Sequence, residues 1–232
     1  MPAATPPPPA RTPPVWVRPQ RSARGPRPEF SRDRIAETAV ALADAGGLGA
    51  ATMRAVAAEL GTAAASLYRY LASRDDLVDL MVDAVLADPV LTRRRARRPS
   101  ADWLDDLVAL GRDLLALHRA HPWLLEANAR TVAFGPHGSD HVEHCLELME
   151  PTGCGTAAKL EAVALITGIV SLFARPAPAG ARTLAPQDVF AGASAGRHPR
   201  LTAALTHPEP PGPRPDLFEH TLRSVLLGLL RA

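Results

Sequence analysis

From Phe30 onward, apolar residues recur at helical spacing along most of the chain. Ile35, Ala39, Leu42 and Ala43 fall at i, i+4, i+7 and i+8, one face of a helix. Ser31 stands at its N-cap, Phe30 and Ile35 hold hydrophobic-staple positions, and Gly46-Gly47 marks the stop. Thr52 caps a second helix with Met53, Val56, Ala57 and Leu60 inward, ended by Gly61. A short third helix is expected from Ala63 to Tyr70. Ser73 and Asp76 form a capping box for a fourth, with Leu77, Leu80, Met81 and Ala84 on one face; Asp88-Pro89 stops it.

The same period continues. Trp103, Leu107, Leu110, Leu114 and Leu117 line a helix over 101–119, and Pro122 suits the first turn of the next. Val142, Cys145, Leu146 and Met149 predict a helix over 139–150. Residues 156–174 are apolar on nearly every side, so this helix is expected to be buried all round. Phe218, Leu222, Val225, Leu226 and Leu229 line a last helix over 216–231. No segment alternates with the period of a strand, so the fold class is all-α.

Two segments break the pattern. Ten prolines fall in residues 1–28, read as a disordered tail without core residues, and nine in 176–215, read as a long loop with a short helix near 188–195. The organisation predicted is a tail at 1–28, a head at 29–88, a basic linker at 89–100 and a helical body at 101–232.

Charge refines this. Residues 1–99 carry a net +5 and residues 100–232 a net −3, within a total of +2, which hints at a nucleic-acid-binding front half. Two cysteines exclude a disulfide framework. The longest uncharged apolar run, Ala162 to Ala174, is 13 residues, shorter than a membrane span, and no apolar h-region opens the chain. The expectation is a cytoplasmic protein without a membrane partner.

The stretch from Thr52 to Tyr70 has the layout of a helix-turn-helix: a helix of about two turns, a glycine-bearing turn and a second short helix. Both tyrosines of the chain, Tyr68 and Tyr70, sit on the second helix, roughly 200° apart, so they cannot share one core face. An exposed phenol there can donate to a phosphate. Thr62, Ser66 and Arg69 add polar groups, and Leu67 is the core anchor.

Ala45-Gly46-Gly47-Leu48, the run Thr52 to Gly61, Ser66-Leu67-Tyr68-Arg69-Tyr70-Leu71 and Arg74-Asp75-Asp76-Leu77 together resemble the DNA-binding domain of the tetracycline-repressor (TetR) family. The resemblance implies that Thr52 touches a phosphate, that Arg54 reads a guanine, and that Ser66, Tyr68, Tyr70 and Arg74 contact the DNA backbone. Ala63-Ala64-Ala65 open the recognition helix, and Thr62, Ala63 and Ala64 are expected to face the DNA. Alanines there depart from the family pattern, since they can meet a thymine methyl but cannot donate to a base edge. From Phe30 to Ala72 four arginines face four acids, so attraction to DNA would lean on the tail, where Arg24 and Arg27 could enter the minor groove.

Beyond Trp103 the chain resembles the ligand-binding and dimerisation domain of the same repressors. Expected cavity residues are Trp103, Leu107, Leu110, Leu114, Trp123, Asn128, Thr131 and Phe134. Asn128 stands about where the tetracycline repressor uses a histidine toward magnesium, so neither metal nor cofactor is expected. The His118/His121 and His141/His144 pairs read as surface or capping residues, and Arg93–Arg98 as a solvated loop. The sequence thus points to a homodimeric repressor that binds a palindromic double-stranded DNA operator and is released by a small-molecule effector. Two alternatives stay open: a DNA-binding regulator without effector, and a metal-binding sensor or enzyme built on the histidines.

Overall fold

The computed structural model describes residues 13–18, 30–130, 133–176, 185–206 and 216–230. Among them there are twelve α-helices, two single 3-10 turns and no strand.

The head is built from α1 (Arg32–Gly46), α2 (Met53–Glu59) and α3 (Ala64–Leu67), which pack with α4 (Arg74–Leu86). The caps read from the sequence form. Ser31 Oγ accepts from Arg34 N, Thr52 Oγ1 from Ala55 N, and Ser73 and Asp76 complete a reciprocal capping box. Gly47 and Gly61 hold φ of +76° and +69° at the two sharp reversals, where a Cβ would be strained. The third helix is shorter than expected: α3 has four residues, and Tyr68 to Tyr70 continue as a turn.

The expected basic linker is instead largely helical. Asp88 caps α5 (Pro89–Arg95), with Pro89 in the first turn where no N–H is needed. Arg94 pairs with Asp113, and Arg95 donates to Leu86 O at 3.2 Å. These arginines therefore fix α5 across the chain, in place of the solvated loop expected at 93–98.

The body consists of α6 (Trp103–Ala120), α7 (Leu124–Asn128), α8 (Pro136–Leu148), α9 (Thr156–Ala174) and α12 (Leu217–Leu230). α6, α9 and α12 pack on one another, while α8 bridges α9 to α4. α8 begins three residues before the expected Ser139, because Pro136 is tolerated at its first position. The Pro-rich segment holds two short helices, α10 (Pro186–Val189) and α11 (Pro199–Thr206), one more than expected.

α9 is not buried all round. Lys159, Ala162, Ile166, Val170 and Ala174 face inward, while Leu160, Leu165 and Leu172 are 47%, 41% and 63% exposed. By length and composition α9 would suffice to cross a membrane. Here its inner stripe packs against α6 and α12, leaving an apolar outer face. Residues 13–18 overturn the expectation of a tail without core residues: Val15 is fully buried and Trp16 packs against the core.

Candidate DNA-binding head and effector cavity

Two regions gather the chemistry. On the head, Thr52, Arg54, Ala63, Tyr68, Arg69 and Arg74 are exposed, and Thr62, Ala64 and Ser66 half-buried. Capping occupies the Thr52 hydroxyl with Ala55 N at 3.1 Å, while Met53 packs inward and Arg54 beside it stays exposed. Tyr68 is 57% exposed. Tyr70 is only 7% exposed: its hydroxyl accepts from Phe30 N at 3.4 Å and its carbonyl from Arg32 Nε at 3.3 Å. Tyr70 thus closes the head's core and is not on its outer face, a correction to its expected phosphate contact. The turn after α3 rotates the two rings apart. Arg74 is also partly committed, since one of its nitrogens donates to Leu48 O at 2.9 Å. Arg24 and Arg27 lie outside the described residues.

The second region is a cavity of about 320 Å³ between α4 and the body. Val82, Val85 and Leu86 of α4 form one wall, Leu114, Leu117 and His118 of α6 a second, and Val163 and Thr167 of α9 a third. Leu124, Asn128, Arg130, Phe134 and His141 complete the lining. Of the eight residues expected here, Leu114, Asn128 and Phe134 line it, and Thr131 lies outside the described residues. The other four are placed elsewhere. Leu107 and Leu110 are wholly buried in the α6 core. Trp103 borders a separate surface groove near Leu227 and Leu230. Trp123 donates from Nε1 to Asp44 at 2.7 Å, tying the body to the end of α1.

Burial also decides the histidines. His118, His141 and His144 are buried, where surface or capping positions were expected, while His121 caps the end of α6 and pairs with Asp44 at 2.7 Å. Desolvation lowers the pKa of His118, so its ring is neutral at pH 7. Its Nδ1 lies 2.9 Å from Leu114 O, which can only accept. The proton therefore sits on Nδ1, and Nε2 accepts from Asn128 Nδ2 at 3.0 Å. Burial, with smaller contributions from Arg95 and His144, pushes His141 down to about 4. Burial likewise pushes the Cys145 thiol up to about 12, too high for an active thiolate. Among the described residues no three His, Cys, Asp or Glu side chains gather as a metal would need.

Cavity and head are joined along α4. Asp75, Asp79 and Asp83 are spaced by four on one face; the first two meet the α7–α8 connection and the third the first turn of α8. Arg130 pairs with Asp75 at 3.3 Å, Ala133 N donates to Asp79 at 3.3 Å, and Gly138 N to Asp83 at 2.8 Å. Burial raises the Asp79 carboxyl against the opposing effect of that hydrogen bond. Arg130 and Phe134, which line the cavity, therefore belong to a segment hung on the helix that carries the head. Sequence reading missed this ladder; its signal is the i, i+4, i+8 run of aspartates.

Residues 35–81 match the family described as bacterial regulatory proteins, tetR family, and residues 97–232 match the tetracyclin repressor-like C-terminal domain. The chain belongs to the TetR family. Its relatives include the HTH-type transcriptional repressor DrrR1 of Streptomyces coeruleorubidus, 40% identical over 160 residues, which cover 67% of this chain and 57% of that one. An HTH-type transcriptional regulator of Saccharopolyspora erythraea is 30% identical over 156 residues, 67% of this chain and 64% of the relative. The chain thus spans less than two thirds of either curated TetR relative. Among solved structures, ActR of Streptomyces coelicolor in complex with actinorhodin superposes with a TM-score of 0.69 at 27% identity, covering 87% of this chain and 97% of that one.

Proposed function

We propose that this TetR-family chain is a homodimeric transcriptional repressor of the cytoplasm whose grip on a palindromic DNA operator is relaxed by a partly apolar small molecule. The observation that carries the reading is the α4 wall of the cavity. Val82, Val85 and Leu86 belong to the helix that starts at the head, so an occupant touches the element that positions the recognition helix. A ligand shifts DNA affinity only by binding one head position better than another, and contact with α4 supplies that difference.

The lining describes the effector. Seven aliphatic side chains and Phe134 favour an apolar body. The fixed tautomer of His118 engages the Asn128 amide nitrogen, which leaves the amide oxygen as the acceptor a bound hydroxyl would meet. Arg130, about half exposed, suits an anionic or carbonyl group at the rim. A hydroxylated polycycle fits this set, and the actinorhodin complex of ActR supports it. Arg54 and the phenol of Tyr68 are the assigned base and phosphate contacts.

A mobility shift with the DNA beside the protein's own gene tests the reading, with actinorhodin as the probe for release. Specific retardation, reversed by the probe and no longer reversed in Thr167→Trp, is expected. Equal affinity for unrelated DNA at 0.15 M salt would refute the repressor, and release that survives the filled cavity would refute the effector site.

A further inference from the structure

The segment Pro13–Arg18 lies against three helices at once. Val15 is fully buried, although its neighbours Pro13, Pro14 and Val17 are exposed. A hydrogen bond from Val17 N to Pro14 O at 3.2 Å closes a turn that presents Val15 and Trp16 inward. Trp16 borders a groove formed by Arg32 and Ala36 of α1, Leu80 and Asp83 of α4, and Pro136 and His137 of α8. Its indole lies so close to Gly135 that a Cβ there would overlap Trp16 Cε2 and Asp83 Cγ. Gly135 has an ordinary backbone conformation, so the missing side chain serves this close approach and not a turn.

The polar end of the segment is held as firmly. Arg18 pairs with Asp76, the residue that also completes the capping box of α4. Arg32 of α1 donates from Nη2 to Arg18 O at 3.2 Å. One end of the segment is therefore fixed to the head, through Arg32 and Asp76, and its indole to the body, through Gly135 and Pro136.

We propose that Pro13–Arg18 is a strap that fastens the DNA-binding head to the effector domain across α4 and restrains the swing of the head. A turn that bridges two bodies loses its contacts with one of them when they move apart, so the strap favours head positions close to the one seen here. Asp83 lies beside the strap and also ends the aspartate ladder, so movement of the start of α8 reaches the strap through it. The contacts that hold the strap involve none of the cavity-lining residues and none of the assigned DNA contacts.

The test uses the full chain with Trp16→Ala, Arg18→Ala and Gly135→Ala, the last of which displaces the indole from the other side, and Val17→Ala as control. Amide hydrogen exchange at residues 74–80 and at 136–141 should rise by about tenfold in all three variants and stay unchanged in the control. Spin labels at Glu59→Cys on the head and Glu143→Cys on the body, in a Cys154→Ser background diluted with unlabelled chains, read the swing. The distance distribution should broaden about twofold in the variants. Faster exchange with an unchanged distribution would reduce the strap to a stability contact and overturn the restraint. Unchanged exchange at either helix start would show that the strap does not bridge the two bodies.

Discussion

Single residues set the chemistry of both regions. His141 is held neutral by burial, at about 4 against an unfolded value near 6.5. The unfolded chain takes up this proton first as the pH falls, so stability declines from about pH 6.5 and the loss is complete below about pH 4, worth roughly 3 kcal/mol. His141→Phe should flatten the dependence of the unfolding midpoint on pH between those limits; a slope equal to that of the parent would place the titration elsewhere. On the head, Arg54→Ala should relax preference at one base pair in each half-site, costing about 1–3 kcal/mol there, as read by binding to a panel of operator variants. Tyr68→Phe should weaken all sequences alike, because a phosphate contact carries no sequence information. Uniform weakening by Arg54→Ala would remove it from base reading.

At the scale of elements, α4 is decisive. Its start is fixed by the Ser73–Asp76 capping box, and Ser73→Ala should lower stability by about 1 kcal/mol in chemical denaturation. One of its faces holds the α7–α8 connection through Asp75 and Asp79 and the first turn of α8 through the buried Asp83. Asp79→Ala removes the middle rung and with it the acceptor for Ala133 N. The expected result is a folded protein whose DNA affinity responds less to an effector of the proposed class, by a factor of about three or more, with operator affinity nearly kept. Response equal to the parent would show that the ladder does not transmit. α9 divides its work: Lys159 reaches Glu150 at 3.0 Å on the inner side, while three leucines remain on the outer.

For the whole molecule, the outer faces of α9 and α12 are where the proposed dimer is tested. Leu165 and Leu172 stand exposed on α9, and a Cβ at Gly168 or Gly228 would meet nothing within 4 Å. This open, apolar surface suits two helices from each subunit in a symmetric four-helix contact. Leu226 is fully buried within the chain, so a charge there would unfold the subunit instead of separating it. Leu172→Glu is the cleaner variant: sedimentation should show a folded monomer with weakened operator binding, and a dimer of parental stability would move the interface elsewhere. In the proposed dimer two heads would meet half-sites about 34–36 Å apart. A hundredfold release from DNA needs about 2.7 kcal/mol of coupling, well within what contacts along one helix wall provide.

The sequence by itself determined most of the longer helices, their caps and the layout of the head. Those features are local: Ser31, Thr52 and Ser73 meet backbone groups three residues away, and Gly47 and Gly61 answer the conformation of their own bonds. In the head periodicity also told inner from outer faces, which is why Leu67 and Leu77 were legible as core, whereas α9, apolar on nearly every side, gave no such sign. It could not tell which neighbour an inner face would meet. Leu107 and Leu114 share one stripe of α6, yet one is packed solid and the other lines the cavity, because the space lined by α4 and α9 residues opens beside the second. The burial of His141, the inward turn of Tyr70 and the helix at Pro89–Arg95 likewise depend on distant partners. Most of all, the docking of Val15 and Trp16 needed the groove between α1, α4 and α8. A six-residue segment carries no period of its own, and only the assembled surface gave it a place.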